Sequence, residues 1–246
     1  MNSLLQTRGL TLKFGGVVAA ESIDFDLSAG ERLAVIGANG AGKTTFINMV
    51  TGYIKPSSGQ ICFDGEDITA LHPRQIVLRG VGRSFQLPQL FTEQTVRESI
   101  ELAVAARRSR LSMFNPMSKC VAREEIDHVL SMVGLAERAH DLCGSLPEGH
   151  RKLLDVAMAL VLRPKLLIMD EPTSGVAADE KHPLMATIMK ALSEQKVTAM
   201  FVEHDVDIVN EYATRVAAWI SGRIAADGPP ATVMNDKEVR TVVLGH

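Results

Sequence analysis

The octapeptide GANGAGKT, Gly37 to Thr44, constrains this chain more than any other stretch. It fits G-x-x-x-x-G-K-[ST] and lies between an apolar β-type run, RLAVIG, and a segment of helical spacing, KTTFINMV, the context in which a phosphate-binding loop works. Gly37, Gly40 and Gly42 let the backbone wrap inward so that successive N–H groups face phosphate oxygens, and the following helix N-terminus adds partial positive charge. Lys43 is placed to meet the β and γ phosphates, and Thr44 to put its hydroxyl on Mg²⁺. Asn39, Ala41 and Thr45 complete the expected nucleotide-binding set.

Around that loop the chain alternates β-type and helix-type patterns. IDFDLSAGERLAVIG leads into the glycine loop, KLLIMDEP and VTAMFVEHD read as buried strands, and helical segments separate them. Buried strands joined by helices imply a mainly parallel sheet covered on both faces. From about residue 87 to 145 the pattern is helical and less apolar, with TVRESIELAVAA and AREEIDHVLSMVGLAERA amphipathic. The expected organisation is one α/β domain, a core of residues 1–86 and 146–246 with a helical subdomain inserted between.

Composition narrows the classes. With 246 residues, 46 % of them apolar, the chain can bury a substantial core, and a net charge of −3 with acids and bases interspersed provides no basic stripe for nucleic acid. The short run RRSR, Arg107 to Arg110, reads as a solvated helix face. Cys62, Cys120 and Cys143 are far apart and lack metal-ligand spacing, which points to reduced thiols in the cytosol. The longest apolar stretch, Val156 to Leu162, is far short of the ~18 residues of a membrane span. If the protein works at a membrane, another chain supplies the channel.

Four further features bear on chemistry. LLIMDE delivers Asp170 and Glu171 at a strand's carboxyl end, where open α/β sheets bind ligands; Asp170 is placed to hold Mg²⁺ through water and Glu171 to take a proton from an attacking water. Taken alone, the pair could simply begin the next helix. His204 in FVEHD ends a second buried strand, where an imidazole could contact a γ-phosphate, although a lone histidine there is more often structural. Gln86 in RSFQLP could join metal or water to the helical segment. Upstream, the face of Phe14 could stack on adenine, with Val18 beside it, though an isolated phenylalanine is more often core.

The order of these elements resembles the ATP-binding cassette ATPases over nearly the whole chain. The resemblance implies two cassettes closing head to tail around two ATP molecules, each ATP lying between the phosphate loop of one subunit and a signature motif of the other. Here the signature position is LPEGH, with Gly149 as its surviving glycine. LKFGGVVAAESIDFDL, GRSFQLPQLFTEQTVRESI, FVEHDVDIV and VRTVVLGH are more narrowly similar to the cassettes of branched-chain amino acid importers. That likeness implies ATP and Mg²⁺ as cofactors, a peripheral position on the inner face of the plasma membrane, and transmembrane permease partners. It also implies a second ATPase subunit, hetero- or homodimeric, and, indirectly, a periplasmic binding protein. Urea, amides or small aromatic acids are alternative solutes, and a non-transport ATPase or scaffold an alternative class. No N-K-x-D sequence supports a guanine-reading GTPase. Pro147, Glu148 and His150 in the signature, Met158 and Ala177 depart from the wider family pattern. Leu87, Leu90 and Phe91 are expected either to line part of a shallow apolar groove for a permease helix or only to pack the helical lobe.

Overall fold

The computed structural model describes residues 3–107 and 123–245. Arg108 to Arg110 of the basic run, and Cys120, lie outside the described residues; Arg107 ends a helix and pairs with Glu125.

Two sheets carry the fold. The first is antiparallel, order β2-β1-β4-β5, from β1 (Ser3–Phe14), β2 (Val17–Ser28), β4 (Ser58–Phe63) and β5 (Glu66–Asp67). The second has the order β10-β9-β3-β8-β7-β6, from β3 (Arg32–Gly37), β6 (Val81–Ser84), β7 (Leu166–Asp170), β8 (Thr198–Val202), β9 (Arg215–Ile220) and β10 (Arg223–Gly228). Only β10 runs antiparallel to its neighbour. The helices are α1 (Lys43–Val50), α2 (Pro73–Leu78), α3 (Val96–Arg107), α4 (Arg123–Met132), α5 (Glu148–Val161), α6 (Ala178–Glu194), α7 (Val206–Tyr212), α8 (Pro230–Val233) and α9 (Lys237–Val239).

The apolar runs in β7 and β8 are buried at every position because both sheet faces are covered. Side chains alternate across a strand, so each run feeds two cores. Ala34, Ile36, Leu167, Met169, Ala199 and Phe201 enter the cluster packed by α3 to α7. Leu33, Val35, Leu166, Ile168, Met200 and Val202 enter the cluster under the antiparallel sheet and α1. That second cluster centres on Phe25, Phe46 and Trp219, whose ring centroids lie 5.1–6.4 Å apart.

The segment before α3 and the one after α4 are tied together by a Thr95–Leu142 bridge and by N–H donation from Val96 to Asp141 O (3.0 Å) and Cys143 to Gln94 O (2.9 Å). The buried faces of α3 and α4 join the same apolar cluster as α5 to α7. Among the described residues, no helix is long and apolar enough to cross a membrane.

Candidate active site

The sheet order gathers the site. β3, β8, β7 and β6 are adjacent and parallel, so the segments that follow them leave from one edge. After β3 comes the glycine loop, after β8 His204, at the end of β7 Asp170 and Glu171, and after β6 Gln86.

The loop's shape follows from its glycines. A Cβ on Gly37 would sit 2.5 Å from the Trp219 carbonyl oxygen, so no side chain fits. Gly42 caps α1 at φ 103, a left-handed conformation that glycine adopts without strain, and no side chain caps the helix. The first-turn N–H groups of α1 therefore have no side-chain acceptor and no acidic residue beside them, which is the chemistry of an anion cradle. Ala38, Asn39, Gly40 and Thr44 are exposed, Thr45 is half-buried and Ala41 buried. The buried Lys43 reaches across the loop, its Nζ donating to Gly37 O (2.5 Å) and Ala38 O (3.0 Å). Burial pulls its pKa down, opposed by the carboxylates of Glu171 and Asp170.

Glu171 stands at the centre of a hydrogen-bonded series. Its Oε2 accepts from Gln86 Nε2 at 2.6 Å, and its Oε1 lies 3.0 Å from His204 Nε2. Its backbone is left-handed at φ 50, a conformation that costs a non-glycine residue roughly 1–3 kcal/mol unless its surroundings hold it. Such strain beside a carboxylate is typical of a functional position. Asp170 accepts an ion pair from Arg83 at 3.2 Å, and Arg83 also donates to Asn48 (2.7 Å) and stacks over Phe85.

Phe14 and Val17 pair at the tip of the β1–β2 hairpin, and Phe14, Val17 and Val18 are all exposed. The base of that tip abuts the phosphate loop: a Cβ on Gly42 would lie 2.9 Å from Ala19 O, and Gly222 N–H donates to Ala41 O at 2.9 Å. An apolar surface is thus available beside the loop, whereas Gly149 is in the first turn of α5.

Sequence reading missed four polar residues. Arg83 and Lys152 are nearly buried cations, and Lys152 donates to the carbonyls of Gln86 and Glu171. Asp155 accepts the Phe85 N–H at 3.0 Å. Glu203, 3 % exposed, accepts from the Thr173 N–H and hydroxyl (3.0 and 2.7 Å) and orders the turn after Glu171. The available signal was a charged residue inside an apolar pattern: Arg in VGRS, Lys and Asp within KLLDVA, Glu in FVEHD.

One expectation needs correcting. An apolar groove of ≈ 330 Å³ does open beside the site, but its walls include Tyr53, Val77, Phe85, Leu102, Met158 and Leu162. Leu87, Leu90 and Phe91 are not in them: Leu87 and Phe91 are exposed and Leu90 packs against the helical core. The chain leaves β6 with Phe85, not the residues beyond Gln86, turned to the groove. A larger cleft of ≈ 740 Å³, lined by Arg74, Arg79, Arg163 and Lys165 among others, includes none of the site residues.

Known proteins resemble the chain over nearly its whole length. The family model described as ABC transporter matches residues 20–174. The high-affinity branched-chain amino acid transport ATP-binding protein BraF of Pseudomonas aeruginosa is 34 % identical, covering 99 % of this chain and 98 % of that protein. LivG of Escherichia coli, of the same description, is 31 % identical over the same shares. The crystal structure of the ADP conformation of MJ1267, an ATP-binding cassette of an ABC transporter, superposes with a TM-score of 0.83 at 28 % identity, covering 100 % of both chains.

Proposed function

The chain belongs to the ABC transporter family, and we propose that it is the ATP-hydrolysing subunit of an importer for branched-chain amino acids. The observation that carries the reading is the series His204–Glu171–Gln86 at the sheet edge that also bears the phosphate loop, with Phe85 next to Gln86 forming a wall of the apolar groove. Chemistry and docking surface are one residue apart.

In this reading the amides of the loop and the Lys43 ammonium bind the ATP phosphates, and Phe14 and Val18 flank the adenine. The Thr44 hydroxyl, the Asp170 carboxylate and the Gln86 amide oxygen are hard oxygen donors suited to Mg²⁺, which when bound would neutralise phosphate charge. Glu171 accepts the proton of the attacking water, and Gln86 and His204 orient its carboxylate. ATP favours the closed pair of cassettes because it binds that state better, and hydrolysis removes the preference. Of the expected helical subdomain, the described parts, residues 87–107 and 123–145, move with Gln86 in this reading. The partners are transmembrane permeases on the groove, a second, different ATPase subunit across the ATP, and a periplasmic binding protein outside, so the chain works peripherally on the inner membrane face.

The test is to purify the transporter through a tag on this chain, identify the co-purifying subunits, and titrate the binding protein with leucine-type amino acids, urea and amides. Binding of leucine-type solutes supports the reading; a preparation without permeases, or one specific for another solute, overturns it. In the same assembly Gln86→Ala is expected to retain ATP binding and to lose more uptake than hydrolysis. Equal loss of both, with loss of ATP binding, would make Gln86 an ordinary active-site residue.

The signature loop is weakened but competent. Pro147 caps α5 without a side-chain hydrogen bond, and it offers neither hydroxyl nor N–H to a phosphate. Glu148 lies in the first turn, its Cγ turned to Gly175, while burial and the nearby Arg138 charge lower the His150 pKa, keeping that ring neutral at neutral pH. What remains is Gly149 with the free amides of the helix start. Pro147→Ser with Glu148→Gly is expected to strengthen ATP-driven self-association of the Glu171→Gln protein. A tight homodimer of the Glu171→Gln protein with its natural signature, unaltered by the double change, would show the loop to be fully competent as it stands.

A further inference from the structure

Helix α5 has a buried ionic face that packing alone does not require. Lys152 is 3 % exposed, and its ammonium lies between two backbone carbonyls, Gln86 O at 3.1 Å and Glu171 O at 3.0 Å. Three residues on, Asp155 accepts the Phe85 N–H and a hydrogen bond from Ser84. One side of α5 therefore grips the end of β6 and the end of β7 together.

Burying an ammonium is costly, and an apolar residue of similar volume often serves stability as well or better. Burial does pull the Lys152 pKa down, with Glu148, Glu203, Asp155 and Glu171 opposing. What the ammonium adds is direction: two bonds aimed at two specific carbonyls. One of them belongs to Glu171, whose left-handed backbone at φ 50 must be held from outside. Its N–H donates to Val202 O (3.1 Å), and its carbonyl accepts both the Ser174 N–H (3.1 Å) and Lys152 Nζ. Lys152 is also one helical turn from Gly149, about 4.5 Å along the axis, in the same rigid element.

We propose that Lys152 is a positioning residue with two duties: it holds Glu171 in its left-handed conformation, and it ties Glu171 and Gln86 to the helix that begins with the signature loop. Nucleotide at this chain's phosphate loop is thereby felt at the surface it offers to its partner's ATP. The proposal rests on the composite-site reading above.

The test uses the full chain, at a concentration where light scattering reports a monomer, with Mg²⁺ and the β,γ-imido analogue of ATP as the probe. Hydrogen exchange is read over residues 146–153. On binding, the wild-type protein is expected to change its exchange rate there by about twofold or more. Lys152→Met should lose that response while binding the analogue within about threefold of wild-type affinity. Lys152→Arg, which can still donate to both carbonyls, should keep most of it. In the assembled transporter, Lys152→Met should lower kcat about tenfold with KM within about threefold, because a shifted general base loses alignment, not binding. Should Lys152→Met fail to fold, Lys152→Gln replaces it; its side chain is uncharged and one atom shorter, so the charge-assisted bonds to the two carbonyls are lost, and less than half of the response should remain. A full response in the Met or Gln variant, or none in a wild-type protein that binds the analogue, overturns the proposal. Failure of the wild-type protein to bind the analogue would instead overturn the ATP-site reading.

Discussion

Glu171→Gln is expected to leave ATP affinity within about threefold of wild type and to lower turnover by ~10²- to 10⁴-fold, the range a positioned general base supplies. The geometry makes this a clean substitution. The amide oxygen can accept from Gln86 Nε2 where Oε2 now does, and the amide NH₂ can donate to His204 Nε2 in its acceptor tautomer. Shape and network survive, and only the ability to take a proton at neutral pH is lost. The expected loss corresponds to about 3–5 kcal/mol of transition-state stabilisation. Equilibrium ATP binding and single-turnover phosphate release separate the two effects. Turnover within a factor of about two of wild type would remove Glu171 from the role.

Lys43→Met should produce the second large effect, on binding. Charge-assisted hydrogen bonds are worth ~1.5–3 kcal/mol net, so losing this ammonium should raise the Kd for ATP by about 10- to 150-fold. Unfolding should not be the cause. Burial lowers the Lys43 pKa below its ordinary value, so the protonated form that the unfolded chain carries at neutral pH is disfavoured in the fold. Methionine fills the same space without that cost, and the melting temperature of the nucleotide-free protein is expected to stay level or rise. A variant that melts lower and binds ATP as tightly as wild type would contradict both halves of the argument. Both variants leave the Gly37 and Ala38 carbonyls without their donor, and Lys43→Ala, which should lose similar affinity, also leaves a void and should melt below Lys43→Met.

Local chemistry was legible because it is written in consecutive residues. The spacing in GANGAGKT sets the loop, since the loop's geometry needs glycine at Gly37 and Gly42 whatever packs around them. The apolar runs before Asp170 and His204 marked strands buried on both faces, and their carboxyl ends marked the ligand edge. What the chain order concealed was the spatial order. Along the sequence the features run loop, Gln86, Asp170 and Glu171, His204; across the sheet they run loop, His204, Glu171, Gln86. Helical crossovers decide which strands become neighbours, and that choice alone puts Gln86 and His204 on opposite oxygens of one carboxylate.

The buried polar contacts were illegible for a related reason. Nothing adjacent in the chain tells what Lys152 and Asp155 will meet, and only the packing of α5 against the ends of β6 and β7 brings them to Gln86, Glu171 and Phe85. The groove expectation erred in the same way: a sequence cannot say which of Phe85, Leu87 or Phe91 faces outward after a strand end. The sequence by itself determined the phosphate loop, the strand-borne carboxylates and the histidine, because each depends on residues adjacent in the chain. The tertiary structure decided their pairing, the left-handed Glu171, and the cations Lys152 and Arg83 set against Glu171 and Asp170, because those depend on contacts between residues up to 87 positions apart, Arg83 to Asp170, that only the assembled sheet brings within hydrogen-bond reach.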